Sequence, residues 1–397
     1  MSYTTTDMSS DHTIKTCLQV LPGLGTGGVE RGTIDMAEAL VNAGWRALVT
    51  SSGGSCVREL ERVGGEHILL PLATKSPLKI WKNAKLLSDL IAKQSVDVVH
   101  ARSRAPTWSA HLARRTKDFP LVTTFHGVYG LGLFGLKKPY NRVMTIGRPT
   151  IAISDFIAHH VVHEYGLEED QIRIIYRGVD LDVFNPTAVT SARMIDLVTK
   201  WRLPDDGPVI MLPGRLTSWK GQTLLVDALS LLDVGGRMPA DWRCLLVGPS
   251  ATGSSYRSRL QAHINSKGVA GNVQIIDDCR DIAAAYMVTD VVVSASTRPE
   301  AFGRVVAEAQ AMGRPVVAPA HGAAPEIMLP GVTGWLFTPG DAQSLAGAIG
   351  QAIHIEPNDR STLAERARAH VVEYFDKMDM VKATFDTYET ALSHFQK

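Results

Sequence analysis

The chain has 397 residues, 45% of them apolar, and its 41 Lys or Arg nearly cancel its 40 Asp or Glu to leave a net charge of +1. That length exceeds what one hydrophobic core usually supports, so two domains of roughly 200 residues each are expected. No run of about 18 apolar residues occurs, which excludes a membrane-spanning helix. Cys17, Cys56, Cys244 and Cys279 are too scattered for a disulfide framework, and a cytoplasmic location fits best.

Residues 1–13 are polar, lack the charged start and apolar stretch of a signal peptide, and are expected to form a flexible tail. Short apolar runs then alternate with longer helical patterns, as in parallel α/β architecture. In the first half the expected strands are 16–21, 46–51, 67–72, 96–100, 121–125, 150–154 and 172–176. A polar, proline-containing stretch from Asn185 to Pro208 separates the halves. The second series is 209–212, 242–247, 272–276, 291–294, 315–318 and 334–337. Several runs are apolar nearly throughout, as strands covered on both faces are. Residues 371–395 read as one amphipathic helix. The expected division is a tail (1–13), an N-terminal domain (14–190), a C-terminal domain (191–371) and a final helix (372–397) packing across the hinge.

Charge is unevenly spread: residues 72–150 hold 14 Lys or Arg against 3 Asp or Glu. Lys75, Lys79, Lys82 and Lys85 recur at helical spacing beside Leu78, Ile80, Trp81 and Leu86. Such a basic amphipathic segment suits an anionic bilayer surface or a phosphorylated acceptor, and a solvated helical face accounts for it equally well. The aromatic interleaving and recognition motifs of nucleic-acid modules are missing, so no nucleic-acid partner is expected.

The polar signals follow the carboxyl ends of expected strands, the edge that carries the ligand crevice in open α/β sheets. Gly23-x-Gly25-x-x-Gly28 follows the first strand and literally matches the dinucleotide fingerprint, yet the second strand ends without the acid that would bind a ribose. The NAD reading loses most of its support there; an anion-cradling loop and a simple tight turn both stand. His126 ends the fifth strand and either contacts reacting groups or is a structural histidine, an ambiguity His100 shares. Asp180-Leu-Asp182 has the form of a metal-binding pair, but its setting beside Phe184 and Pro186 favours turn chemistry. No other cluster has metal-ligand spacing, so neither metal nor cofactor is expected.

Gly214-Arg215 and Lys220-Gly221 follow a buried run in the second half. A guanidinium and an ammonium there suit the oxygens of a diphosphate. Glu300 lies after the run 291–294, and Glu308 lies eight positions on, along an apparent helix. If that helix opens near Phe302, Glu308 sits about 9 Å along its axis, roughly the span of a diphosphate with a sugar at each end. The helix N-terminus would face the phosphates, and ionised carboxylates would accept from sugar or ribose hydroxyls.

This combination resembles the GT-B retaining glycosyltransferases of family 4, also called glycosyl transferases group 1. The resemblance rests on Gly27-Gly28-Val-Glu30, Phe125-His-Gly127, Ser154, Arg177-Gly-Val-Asp180, Gly214-Arg215, Lys220-Gly221, Glu300 to Glu308, Pro325-Glu326 and Gly331-Val-Thr-Gly334. It implies two facing Rossmann-like domains with parallel sheets, a final helix crossing back to the N-terminal domain, and a nucleotide-sugar donor held mainly by the C-terminal one. By position, Arg215 and Lys220 would bind the donor diphosphate beside Gly214, Glu308 the ribose, and Glu300 the donor sugar. Phe302 and Gly303 would offer backbone contacts, Gly27 and Gly28 would close over the donor from the other domain, and His126 would line the reaction centre. The family often has Asn where this chain has Arg177, which leaves that residue's role open.

The expected activity is metal-independent transfer of a hexose from a nucleoside-diphosphate sugar to a hydroxyl, with retention, in the cytoplasm or at the inner face of its membrane. The acceptor expected is a cell-envelope glycan or lipid-linked species of the lipopolysaccharide or exopolysaccharide type. A sugar-nucleotide epimerase of the same fold is the alternative, followed by an NAD-linked oxidoreductase and a catalytically silent binding protein.

Overall fold

The computed structural model describes residues 14–250 and 254–395, so the expected tail 1–13 lies outside the described residues. Thirteen strands form two sheets among them. The first holds β1 (Thr16–Val20), β2 (Arg46–Ser51), β3 (Glu66–Leu69), β4 (Val98–Ala101), β5 (Leu121–Phe125), β6 (Thr150–Ala152) and β7 (Ile172–Ile174), in the order β3-β2-β1-β4-β5-β6-β7. The second holds β8 (Val209–Pro213), β9 (Arg243–Val247), β10 (Val273–Ile276), β11 (Val291–Val293), β12 (Val316–Pro319) and β13 (Gly334–Phe337), in the order β10-β9-β8-β11-β12-β13. Pairing is parallel from β3 to β5 and throughout the second sheet.

Burial explains the sequence pattern. Every residue of β1 and β8, central in their sheets, is buried, whereas edge strand β3 has none buried. Central strands covered by helices on both faces read as unbroken apolar runs. Leu18, Leu48, Leu87 and Val99 pack into one core of the first unit, and Leu212, Leu229, Leu246 and Val293 into one of the second.

The two compact units are discontinuous in sequence. Among the described residues, one comprises 14–151, 165–173 and 384–395; the other comprises 152–164, 174–250 and 254–383. The second half of the last helix thus belongs to the first unit, where Phe385 packs edge-on to Trp45 at 5.0 Å and Tyr388 is fully buried.

Three sequence expectations need correction. Residues 371–395 are not one helix: Pro357–Tyr374 and Lys377–Phe395 are separate, broken where the Phe375 carbonyl accepts the Val179 N–H at 2.8 Å and the Lys377 N–H reaches the Val179 carbonyl at 3.0 Å. Gly178 is needed there, because a Cβ would overlap the Lys377 backbone. The polar stretch 185–208 is not merely a connector but contains the helix Ser191–Trp201, which buries Leu197 and Trp201. The helix bearing Glu308 opens at Arg304 rather than near Phe302, with Gly303 as its cap at φ +87. Glu308 therefore lies about 7.5 Å along the axis from the cap.

Candidate active site

In the second sheet β8 lies between β9 and β11, so the winding reverses between β8 and β11, the place where open α/β sheets leave a crevice at their carboxyl edge. Both loops leaving that edge carry the polar residues singled out above. After β8 the chain turns through Gly214, passes a short helical turn, Ser218–Lys220, and reaches Gly221 at φ +74, which heads the helix Gln222–Val234. A Cβ on Gly221 would collide with the Ala295 carbonyl, so only glycine allows the two loops to meet this closely.

That approach sets Lys220 against Glu300. Lys220 Nζ lies 2.8 Å from Glu300 Oε1, with the two side chains only 14% and 19% exposed. Ser296 Oγ donates to the same carboxylate oxygen. The ammonium also sits 4.6 Å above the Trp219 ring, and the Trp219 carbonyl accepts the Thr297 N–H at 2.8 Å, tying the loops together again. The Glu300 backbone is fixed in turn: its carbonyl accepts the Ala323 N–H at 3.0 Å, and Gly322 at φ +63 packs so closely that a Cβ would meet the Glu300 backbone. His321 Nε2 bonds the Ser296 carbonyl at 2.9 Å, which makes that ring nitrogen the donor.

Glu308 belongs to a separate set of contacts. Tyr286 donates its hydroxyl to Oε2 at 3.0 Å, and Arg304 holds Oε1 through Nε at 3.1 Å and Nη2 at 3.0 Å. Burial and the adjacent Glu308 push the Tyr286 phenol well above its ordinary range, so its hydroxyl stays protonated and donates. Arg304 is legible in the sequence as an i, i+4 partner; Tyr286, on the helix Ile282–Met287, gives no local signal.

The remaining expected donor residues differ in setting. Arg215 is exposed, and its guanidinium makes no hydrogen bond or ion pair among the described residues, while its carbonyl is fixed by buried Gln222 Nε2 at 3.0 Å. Phe302 is buried, its ring 5.8 Å from Phe375 and 6.5 Å from Tyr176, which leaves its backbone as the part able to meet a ligand. At the cap, the Gly303 carbonyl accepts the Val306 N–H at 2.9 Å, and the first-turn N–H groups of Arg304 and Val305 make no hydrogen bond among the described residues.

In the first unit the loop after β1 is drawn tight by the Leu24 N–H to the Gly53 carbonyl at 2.8 Å and the Cys56 N–H to the Leu24 carbonyl at 2.9 Å. Gly54, not singled out from sequence, has no room for a Cβ against Leu24. Gly27 caps and Gly28 begins the helix Gly28–Asn42. His126 directly follows β5 and is half-buried. His100 is structural: its ring nitrogens lie 2.7 Å from both the Tyr388 hydroxyl and Thr124 Oγ1.

The other motif residues build the scaffold. Asp180 Oδ1 accepts the N–H groups of Asp182 at 3.1 Å and Val183 at 3.2 Å, and Oδ2 pairs with Lys377 at 2.7 Å. Burial would raise the Asp180 pKa, but Lys377 and those N–H groups prevail and hold it below the ordinary range. Arg177 is buried. Glu326 caps the helix Asp155–Tyr165, accepting the Asp155 N–H at 2.9 Å and the Phe156 N–H at 2.6 Å, with the Tyr176 hydroxyl at 3.3 Å. Ser154 Oγ donates to the Ala301 carbonyl at 2.6 Å, beside Glu300 in the chain.

The family model for glycosyl transferases group 1 matches residues 195–370, and that for glycosyltransferase family 4 matches residues 26–183. A D-inositol 3-phosphate glycosyltransferase from Xylanimonas cellulosilytica is 32% identical over 311 residues, covering 74% of this chain and 72% of that protein. The chain belongs to the family 4, or group 1, glycosyltransferases. A glycosyltransferase from Rickettsia africae matches its structure with a TM-score of 0.87 at 36% identity, over 96% of this chain and 99% of the other. HepE from Anabaena, solved with UDP and glucose, matches with a TM-score of 0.81 at 25% identity, over 94% and 99%. The two parallel sheets of this glycosyltransferase are accordingly the two Rossmann-like domains of a GT-B fold.

Proposed function

We propose that this glycosyltransferase moves a hexose from a nucleoside-diphosphate sugar to a hydroxyl of a lipid-linked or other cell-envelope glycan, with retention at the anomeric carbon and without a metal ion. The observation that carries the reading is the contact of Lys220 with Glu300, made by loops leaving β8 and β11 and closed by Gly221. It sets a cation for phosphate oxygens beside a carboxylate for sugar hydroxyls. HepE has also been solved with UDP-glucose, which supports a donor of this class.

In the proposed step the bond from the anomeric carbon to the diphosphate breaks while the acceptor oxygen attaches on the same face. The hydroxyl proton passes to the departing phosphate oxygen. Negative charge grows on the diphosphate, and Lys220, Arg215 and the N–H groups beyond Gly303 would stabilise it by preorganised electrostatics. Glu300 would hold the sugar and Glu308, kept in place by Tyr286 and Arg304, the ribose. A glycosidase-like double displacement uses two carboxyl groups about 5 Å apart. Here the carboxylates sit in separate hydrogen-bonded sets, which favours direct front-face transfer. In the N-terminal unit, His126 and the Gly27–Gly28 turn are assigned to the reacting end.

Product analysis with UDP-, GDP- and ADP-sugars and cell-envelope lipid extracts tests the proposal. A new glycoside with the donor's anomeric configuration, formed equally well in EDTA, is expected. An epimerised free nucleotide sugar, an inverted product, or activity lost to EDTA and restored by a divalent ion would refute the corresponding part.

A further inference from the structure

The loop after β5 carries a cluster that the donor site does not use. Leu133, Phe134 and Leu136 are 79%, 97% and 77% exposed, and the exposed cations Lys137, Lys138 and Arg142 follow directly. Large apolar side chains standing singly on a surface are ordinary; three within four residues at one loop tip are not. The loop is also built rather than slack. Asn141, fully buried, joins its stems through Nδ2 to the Gly130 carbonyl at 3.3 Å and accepts Arg104 Nη1 at 2.9 Å. The Arg104 guanidinium lies 4.3 Å over the Tyr129 ring, Trp108 Nε1 donates to the Tyr140 carbonyl at 2.9 Å, and the Lys137 N–H closes on the Leu131 carbonyl at 2.8 Å. Phe134 itself takes φ +49, a backbone region rare for bulky residues, while its ring is almost fully in solvent.

A second apolar and basic surface is anchored beside it. The helix Pro77–Lys93 exposes Leu78 and Trp81 together with Lys79, Lys82 and Lys85, while Ile80, Ala84 and Leu87 face the core. Both surfaces rest on one stretch of the helix Arg104–Ala113: Trp108 holds the loop, and Ser109 Oγ, the next residue, bonds the Ile80 carbonyl at 3.3 Å. No Asp or Glu lies between residues 119 and 154. Apolar side chains set among cations and without acids complement an anionic lipid surface, where the rings enter the acyl boundary and the ammonium groups meet the headgroups.

We infer that the tip Leu133–Phe134–Leu136, with Lys137, Lys138 and the Lys79/Lys82/Lys85 face, inserts into an anionic bilayer and presents the end of β5 to acceptors embedded there. Only the acceptor's class rests on the glycosyl-transfer reading; the bilayer contact stands on the exposed surface alone.

The test is co-sedimentation of the full chain, without donor, with phosphatidylcholine vesicles and with vesicles doped with phosphatidylglycerol. Salt-sensitive binding to the doped vesicles is expected, reduced about 25-fold by the pair Lys137→Ala and Lys138→Ala at roughly fivefold per lysine. It should be abolished by Leu133→Ser, Phe134→Ser and Leu136→Ser together. Nucleotide-sugar thermal shifts measured in parallel should be unchanged by these variants, so a failed donor reading is seen separately. Phe134→Trp should show blue-shifted emission on the doped vesicles, reporting insertion even if the serine variant folds poorly. Equal sedimentation of all variants, absence of wild-type binding, or a self-association of the wild type that the serine variant removes would overturn the inference.

Discussion

Lys220 and Glu300 face each other at 2.8 Å in the ligand-free protein, so replacing either one should act oppositely on diphosphate binding. Removing the ammonium in Lys220→Ala deletes a charge-assisted hydrogen bond to phosphate, worth about 1.5–3 kcal/mol, or roughly a 10- to 150-fold rise in Kd for the nucleoside diphosphate. It also leaves the Glu300 carboxylate, only 19% exposed, with the Ser296 hydroxyl as its hydrogen-bond donor and no cation beside it among the described residues, so unfolding stability should fall as well. Glu300→Gln keeps the shape and an acceptor oxygen but removes the charge that competes with phosphate for Lys220. Its diphosphate affinity should stay equal or rise by up to about tenfold, while turnover falls about 10- to 100-fold because the sugar loses its ionised acceptor. Isothermal titration with UDP, GDP and ADP, followed by steady-state kinetics with the matching donor, measures both effects. If the two variants weaken diphosphate binding alike, the pair is a structural strut and the phosphate role of Lys220 is wrong.

Tyr286→Phe retains the buried ring and loses only the hydroxyl that reaches Glu308 at 3.0 Å. A stability loss of about 1.5–3 kcal/mol, or roughly 3–10 °C in Tm, is expected with weaker nucleoside binding, and calorimetry showing neither would contradict the orienting role given to Tyr286. Glu326 is displaced upward in pKa, chiefly by burial and against the opposing Phe156 and Asp155 N–H groups. A carboxyl raised on folding contributes stability in full below its unfolded value of about 4.3, and this is lost as pH rises through the folded value. Denaturant titrations from pH 4 upward should therefore show a falling component that Glu326→Gln flattens; an unchanged slope in that variant would refute the assignment.

The strands were legible because their chemistry is local. Runs such as Leu121–Phe125 and Gly334–Phe337 are bounded by turn residues, and the structure places those two at their expected limits. Lys220 and Glu300 could be brought together in advance only because each follows a strand at the same sheet edge. Contacts between distant parts of the chain left no such trace. The break before Lys377 has neither Gly nor Pro at the junction and comes from Val179 pairing with Asp376, far earlier in the sequence. Glu326 capping the helix at Asp155, and Tyr286 meeting Glu308, are likewise unreadable from spacing. Ser191–Trp201 was obscured by nearby prolines, although its apolar spacing is helical. Leu133 and Phe134 carry no local signal that separates an exposed apolar tip from core, and only their exposure in the structure reveals it.

The central claim is that the edge of the second sheet binds an activated sugar through Lys220. Calorimetric titration of the wild type and Lys220→Ala with a panel of UDP-, GDP- and ADP-sugars tests it most directly. The account predicts saturable binding of at least one nucleotide sugar by the wild type and a roughly 10- to 150-fold loss in the variant. Equal affinity in both proteins, or no heat from any member of the panel, would contradict it.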